Sequence, residues 1–161
     1  MLTVRDATPL DRQPVWSMFE PVVRAGETYA LARDLPREAA LAYWFAPGSQ
    51  NRVAVVAGEV VGASYLRANQ QGGGAHVANA AFVTASAWQG RGVARTLAQD
   101  ALEQARRLGF TAIQFNFVIA TNTRAVALWQ SLGFEIVGRL PGAFSHPSAG
   151  LVDAFVMFRW L

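Results

Sequence analysis

The fold of this chain is decided by residues 83–97, which read VTASAWQGRGVARTL. An apolar strand ends here, a short turn and a glycine-punctuated loop follow, and a helix begins at Gly92. Glycine allows the backbone to approach a ligand closely. The first N–H groups of a helix have no partner within it, and the helix dipole adds positive character there. The segment therefore predicts an anion site for a phosphate or pyrophosphate, with an ordinary surface loop as the alternative.

Two common phosphate-binding patterns do not fit this segment. The phosphate loop of nucleoside triphosphatases needs a lysine after its last glycine, and all 14 basic residues of this chain are arginine. The dinucleotide-binding pattern lies early in a strand–helix–strand unit and has an acidic residue about twenty positions later. Gly90 and Gly92 lie in mid-chain instead, and residues 110–115 contain no acidic residue.

A second block, residues 116–134, reads NFVIATNTRAVALWQSLGF. Together with the pattern Gln89-x-x-Gly92-x-Ala94, this block resembles the two signature motifs of the GCN5-related N-acetyltransferases, the GNAT superfamily. The residues at the spacings of the second motif are Asn122, Ala125, Leu128, Trp129, Gly133 and Phe134. The two motifs extend over residues 76–139. More weakly, Asn116, Asn122 and residues 76–79 resemble a subgroup that includes a yeast acetyltransferase of proline analogues such as azetidine-2-carboxylate.

The resemblance implies an α/β (α+β) fold with a single domain over residues 1–161. A mixed central sheet, flanked by about four helices, would splay into a V-shaped cleft for acetyl-CoA. Hydrophobic periodicity and turn residues agree with that plan. They predict strands at 2–5, 52–57, 60–67, 76–84, 112–119, 135–139 and 151–160, and helices at 9–23, 36–46, 92–108 and 123–132. Residues 140–150 are predicted to form a loop rich in proline and glycine.

Acetyl-CoA is the co-substrate that the resemblance implies, and no metal is expected. The implied cofactor-binding positions are Phe82, Val83, Thr84, Gln89, Gly90, Arg91, Gly92, Val93, Ala94, Arg95, Asn122 and Trp129. Backbone groups of residues 82–84 would pair with the pantetheine arm and stabilise the developing oxyanion. Trp129 stands where many members carry a tyrosine proposed to protonate the leaving thiolate. An indole N–H is a donor but not a usable acid, so that role is not carried over.

The attacking amine must be neutral, so a base or a chain of waters should remove its proton. Glu27 lies on a loop that would overhang the acceptor site, and His76 opens a central strand. Each is a candidate catalytic residue, and the alternatives are an exposed loop carboxylate and a strand-end histidine. Asn122 would touch the pantetheine or the reacting centre, or would cap a helix. His146, in the late loop, is a weaker candidate for lining the acceptor pocket.

Polar residues within apolar strands are candidates for contacts with the acceptor. Asn79 and Asn116 interrupt apolar strands, and a buried amide without partners costs roughly 1–3 kcal/mol. Each should therefore bond either to a neighbouring strand or to a substrate carboxylate. Tyr29 and Phe144 lie on predicted loops that would flank the acceptor, together with Glu27. An apolar wall with a few amides is typical of a small-molecule pocket.

Composition limits the partners. The 161 residues are 52% hydrophobic, carry a formal net charge of +3 and include no cysteine, which favours a cytoplasmic protein with a sizeable core. The arginines are scattered, so no nucleic-acid surface is indicated, and no apolar run approaches the roughly 18 residues of a membrane span. The apolar last strand is compatible with a homodimer.

We expect a small-molecule N-acetyltransferase with an amino-acid-like acceptor. A non-catalytic acyl-CoA sensor, and acetylation of protein N-termini or lysines, are the alternatives.

Overall fold

A computed structural model describes all 161 residues. The strands are β1 (Leu2–Asp6), β2 (Gln50–Val56), β3 (Glu59–Ala68), β4 (Val77–Thr84), β5 (Ala112–Ile119), β6 (Glu135–His146) and β7 (Gly150–Trp160). The helices are α1 (Arg12–Ala25), α2 (Arg37–Trp44), α3 (Val93–Arg107) and α4 (Thr123–Ser131). None of these helices has the length and apolar character that crossing a membrane requires.

All seven strands form one mixed sheet in the order β1-β2-β3-β4-β5-β7-β6. Only β4 and β5 run parallel, and they pair at just two positions, Val77↔Ala112 and Ala78↔Ile113. Beyond these positions the two strands diverge, which confirms the V-shaped cleft. The pairing of β3 with β4 continues from Ala68↔Ala78 to Gly62↔Thr84 without a shift. The cleft therefore opens only on the β5 side of β4.

The sheet has a helical layer on each face. Helices α1 and α2 bury Phe19 and Trp44 against Val53, Tyr65 and Val83. Helices α3 and α4 cover the opposite face, where Ile113 is buried among their side chains. Side chains of a strand alternate between faces, so Asn79, Ala81 and Val83 share the α1–α2 face, and Ala80 and Phe82 share the α3–α4 face.

Gly62 of β3 sets the position of α3. A Cβ built on Gly62 would lie 2.6 Å from Val93 Cγ1 and 2.9 Å from Leu97 Cδ1. Both side chains are fully buried at the start of the helix. The absence of a side chain at Gly62 thus allows the first turn of α3 to pack directly on the sheet, which fixes where the helix begins.

Two features of strands β5 and β6 were not predicted. Residues 140–146 belong to β6 and not to a loop, because the β6–β7 ladder resumes at Phe144↔Val152 after an irregularity. Gly142, with φ +57°, lies in that irregularity, and its N–H donates to Asp153 Oδ1 at 2.9 Å. In β5 the register also shifts between Phe115 and Val118. Residues 116 and 117 thus form a bulge next to the cleft, a device that re-aims side chains near binding sites.

Candidate active site

The divergence of β4 and β5 leaves a cavity of about 770 Å³. It passes through the sheet from one helical layer to the other. We call the part beside α3 and α4 the cofactor end, which Gly90, Arg124 and Trp129 line. We call the part beside α1 and α2 the acceptor end, which Tyr29 and Tyr43 line. Two reactants entering from opposite faces would meet at the gap between β4 and β5.

Unpaired backbone donors dominate the cofactor end. The first hydrogen bond of α3 runs from the Thr96 N–H to the Gly92 carbonyl at 3.0 Å. The N–H groups that have no acceptor within the protein belong to Gly90, Gly92, Val93, Ala94 and Arg95, and all of these residues line the cavity. Gly90 and Gly92 reach this arrangement through positive φ angles of 73° and 82°. Such a set of N–H groups at a helix start is an anion site.

Arginines reinforce the positive character of this end. Arg95 Nη2 donates to Ser131 Oγ at 2.9 Å, which joins α3 to α4. Arg124 is exposed at the start of α4 and lines the cavity. It lies beside Gly90, because a Cβ built on Gly90 would be 3.4 Å from Arg124 Nη2. Arg91, in contrast, is absent from the cavity wall, and its guanidinium lies 5.1 Å from the centre of the Trp88 ring.

The backbone of β4 presents polar groups to the gap. The Val77 carbonyl accepts from the Asn69 N–H, and the Ala85 N–H donates to the Val61 carbonyl, so odd-numbered residues of β4 bond towards β3. Because backbone groups alternate in an antiparallel ladder, those of Phe82 and Thr84 face the opposite side. β5 has already diverged there, so these groups have no strand partner and can bind a ligand.

Tyr29 occupies part of that opening. Its hydroxyl donates to the Phe82 carbonyl at 2.5 Å, and its ring packs edge-on against Phe19 at 5.2 Å. Burial raises the pKa of Tyr29, so the hydroxyl stays protonated and remains a donor. The segment between α1 and α2 is thereby attached to the rim of the gap. The Phe82 N–H stays without a protein acceptor.

Asn79 stands where the two central strands separate. Its Nδ2 donates to the Gln114 carbonyl at 3.0 Å, an acceptor that the divergence of β5 has deprived of a backbone donor. Asn116 is exposed, contrary to the expectation of a buried amide, because it lies in the β5 bulge. Its Nδ2 donates to Asn69 Oδ1 at 2.6 Å, and its Oδ1 accepts from Gln114 Nε2 at 2.9 Å. Both asparagines line the cavity.

Asn122 and Trp129 lie together on the α4 side. Asn122 is the N-cap of α4, with its Oδ1 accepting from the Ala125 N–H at 3.3 Å, and its Nδ2 has no protein acceptor. Trp129 packs between Phe82 at 5.1 Å and Phe115 at 4.8 Å. Both residues line the cavity, so the cap leaves one amide donor of Asn122 available to a ligand.

Glu27, His76 and Phe144, which the sequence singled out, lie outside the cavity wall. Glu27 is exposed directly before Thr28, which does line the cavity. His76 is exposed before β4, and Phe144 is buried in β6 behind Phe117 at 6.3 Å. Phe144 therefore supports a cavity residue and was wrongly expected on a loop. His146 is also in β6, where its Nδ1 accepts from the Ser148 and Ala149 N–H groups.

The sequence did not identify Thr28, Tyr43, Tyr65 or Arg124 as cavity residues, although all of them line it. Tyr43 and Tyr65 come from different elements, and their hydroxyls are 3.0 Å apart. The titratable side chains of the wall are Tyr29, Tyr43, Tyr65, Arg95 and Arg124. No carboxylate or imidazole lines the cavity, and the structure has no cluster of acidic or histidine side chains that could hold a metal ion.

Comparisons with known proteins agree with this geometry. The sequence model described as the Acetyltransferase (GNAT) family matches residues 16–134. The N-acetyltransferase aca1 of Schizosaccharomyces pombe is 34% identical over 98 residues, which are 60% of this chain and 47% of aca1. This chain therefore spans about half of that relative. The L-amino acid N-acetyltransferase AaaT of Escherichia coli is 31% identical over 114 residues, 70% of this chain and 69% of AaaT.

A solved structure matches over nearly the whole chain. The GCN5-related N-acetyltransferase from Kribbella flavida has a TM-score of 0.95 and 49% sequence identity. The match covers 99% of this chain and 98% of the Kribbella chain. Cleft, helices and strand order are therefore features common to both proteins.

Proposed function

The chain belongs to the acetyltransferase (GNAT) family, and from that membership we propose that it transfers an acetyl group directly from acetyl-CoA to the amine of a small, amino-acid-like molecule. The observation that carries the proposal is the set of unpaired N–H groups of Gly90 and of residues 92–95 at one end of a cavity that crosses the sheet. Acetyl-CoA, when bound, supplies a pyrophosphate for these donors and a thioester for the gap beyond them.

The cofactor end divides into a phosphate-binding part and a part for the pantetheine arm. The N–H groups of Gly92 and its neighbours, with Arg124 beside them, bind the pyrophosphate. Thr84 and the free Nδ2 of Asn122 offer polar groups to the arm on its two sides. Trp129, held between Phe82 and Phe115, forms an apolar wall for the thioester and excludes water from it.

Phe82 is proposed as the residue that stabilises the reacting carbonyl. Its N–H faces the gap because β5 has diverged from β4. A fixed donor that faces the position where negative charge develops usually makes the largest single contribution to acyl transfer. The Tyr29 hydroxyl donates to the carbonyl of the same residue at 2.5 Å, which fixes the Phe82–Val83 peptide unit next to the one that carries the Phe82 N–H before any substrate binds.

The acceptor amine must lose a proton before it attacks. Glu27 and His76 stay our proposed bases, although neither lines the cavity. Glu27 is the better placed, because it precedes Thr28 in the wall and a water molecule could connect the two. His76 lies three residues before Asn79, about 10 Å along the strand. A proton leaving the amine must therefore travel through water and not directly to a carboxylate.

An amino-acid-like acceptor is favoured by two observations. Asn79 and Asn116 bring amide groups to the acceptor end, whose remaining wall is largely aromatic and aliphatic. The relative AaaT, which matches over 69% of its own length, is described as an L-amino acid N-acetyltransferase.

The homodimer expected from the last strand also stays a proposal. Exposed Leu151 and Trp160 on β7 are the residues that such an interface would cover.

An amine panel tests the proposal. The protein is incubated with acetyl-CoA and single amines, among them amino acids, proline analogues, phosphinothricin, methionine sulfoximine and polyamines, and free CoA is measured against a reaction without amine. We expect release with amino-acid-like amines. Acetyl-CoA binding without release from any amine would favour the sensor alternative. Acetylation of a peptide library alone, read by mass spectrometry, would favour a protein acceptor.

A further inference from the structure

A pair of tyrosine hydroxyls at the acceptor end has one hydrogen without a protein acceptor. Tyr43 and Tyr65 line it, and their hydroxyls are 3.0 Å apart, so one donates to the other. Each hydroxyl has one hydrogen, and therefore one O–H of the pair has no acceptor in the protein. Burial raises the pKa of Tyr43, which keeps the Tyr43 hydroxyl protonated. A ligand at this point must supply an acceptor atom.

Arg67 lies directly behind the two rings. Its guanidinium carbon is 3.6 Å from the centre of the Tyr65 ring and 5.2 Å from that of Tyr43. Nη1 donates to the Tyr43 carbonyl at 3.2 Å, whereas Nη2 is buried without any partner. Arg67 takes part in no ion pair with a carboxylate, unlike Arg5, Arg52 or Arg139. A half-buried, unneutralised cation therefore lies behind the wall of the acceptor end, although Arg67 does not itself line the cavity.

The sheet register connects this cation to the cleft. Arg67 is the direct partner of Asn79 across the β3–β4 ladder, and side chains of directly opposed residues share one face at about 5 Å. Asn79 lines the cavity at the point where β5 diverges. Arg67, Tyr65 and Asn79 thus form a continuous group on the α1–α2 face, with the positive charge one aromatic ring away from the space for the acceptor.

We propose that Arg67, acting with the Tyr43–Tyr65 hydroxyl pair, is the specificity determinant that selects an acceptor with a carboxylate or a similar oxyanion. The proposal rests on the proposed function and names its substrate class. The oxyanion accepts a hydrogen bond from the free O–H of the pair and lies within the electrostatic field of the Arg67 guanidinium behind the Tyr65 ring. At a separation of roughly 6 Å, such a charge is expected to favour an anion about ten- to a hundredfold over a neutral group.

No acidic side chain of the cavity wall works against the selection of an anionic acceptor. No Asp or Glu side chain lines the cavity, so nothing at the acceptor end attracts a second positive charge. Polyamines should therefore be poor acceptors. An α-amino acid with a neutral amine combines the two features that the cavity can use, an oxyanion for the tyrosine pair and a nucleophile that reaches the gap.

Two variants of Arg67 test the proposal. Arg67→Gln removes the charge, and Arg67→Lys keeps it without the planar group that stacks on Tyr65. Arg12→Gln is the matched control, because Arg12 also stacks on an aromatic ring, Phe45 at 5.0 Å, and lies outside the cavity. For each protein, kcat/KM is measured for an amino acid and for its decarboxylated amine. The ratio of the two values is then compared between variants, which cancels the difference in amine reactivity.

We expect Arg67→Gln to lower the acid-to-amine ratio ten- to a hundredfold, Arg67→Lys to retain part of it, and Arg12→Gln to retain all of it. An unchanged ratio in a folded Arg67→Gln protein would overturn the proposal. Calorimetric titration of the N-acetyl amino acid into the CoA complex gives a readout without turnover. Binding that weakens only in Arg67→Gln supports the anion site even if no amine is acetylated, in which case the proposed function fails alone. Equal binding by all the proteins overturns the anion site.

Discussion

Replacement of Gly92 by alanine separates ligand binding from backbone strain. Gly92 has a φ of +82°, and a Cβ there would meet no atom within 4 Å. Gly58, in the β2–β3 turn, has a φ of +85° and equally open space, but it lies outside the cavity. An L-residue in this conformation costs about 1 kcal/mol, which for a chain of this size lowers the melting temperature by about 2–4 °C. Both alanine variants should show that loss of stability.

Only Gly92→Ala should also lose affinity for acetyl-CoA. We expect the added methyl group to intrude on the pyrophosphate at the unpaired N–H groups and to prevent at least one charge-assisted bond, worth about 1.5–3 kcal/mol. That range corresponds to roughly a ten- to hundredfold increase in Kd. Isothermal titration calorimetry of wild type, Gly92→Ala and Gly58→Ala measures it. Equal Kd values for the two folded variants would refute the assignment of the pyrophosphate site to the start of α3.

Two further predictions concern stability. Gly62→Ala should destabilise the protein by about 1–3 kcal/mol and weaken acetyl-CoA binding, because the added Cβ would lie 2.6 Å from Val93 Cγ1. Gly73→Ala is the control: its Cβ would meet no atom within 4 Å, so stability and acetyl-CoA binding should both stay unchanged. Hydrogen bonding from Arg5 lowers the pKa of the buried Asp11 carboxyl to about 2, so its contribution is full above pH 4 and disappears as the pH falls towards 2. Asp11→Asn should therefore cost about 2 kcal/mol at pH 7 and little at pH 2 in urea unfolding, and an equal cost at both pH values would contradict this assignment.

The cofactor end was predictable because it is local in sequence. Residues 89–95 are contiguous, and the anion site proposed for them depends on positive φ angles at two glycines and on unpaired N–H groups, which sequence spacing specifies directly. Arg91 shows the limit of that reasoning. Its position within the motif is fixed, but its side chain stacks on Trp88 outside the cavity, because a backbone motif does not determine where a long side chain points.

The acceptor end was less predictable because its residues come from several segments. Tyr29, Tyr43 and Tyr65 lie in a connection, a helix and a strand, and only tertiary packing brings them together. The alternation of β3 would have placed Tyr65 and Arg67 on one face. That Arg67 opposes Asn79, however, depends on the register of β3 against β4, which a single sequence does not contain.

Asn79 shows how the chain makes a cleft in its sheet without leaving polar groups unpaired. The sequence argument that a central amide needs a definite partner applies, and one partner is the Gln114 carbonyl on β5. This carbonyl is the first beyond the last backbone pair of the two strands, Ala78↔Ile113. Without the amide it would lack a donor, at a cost of about 1–3 kcal/mol. The side chain thus replaces a ladder bond where the strands separate, and its second amide hydrogen and its Oδ1 remain available at the acceptor end.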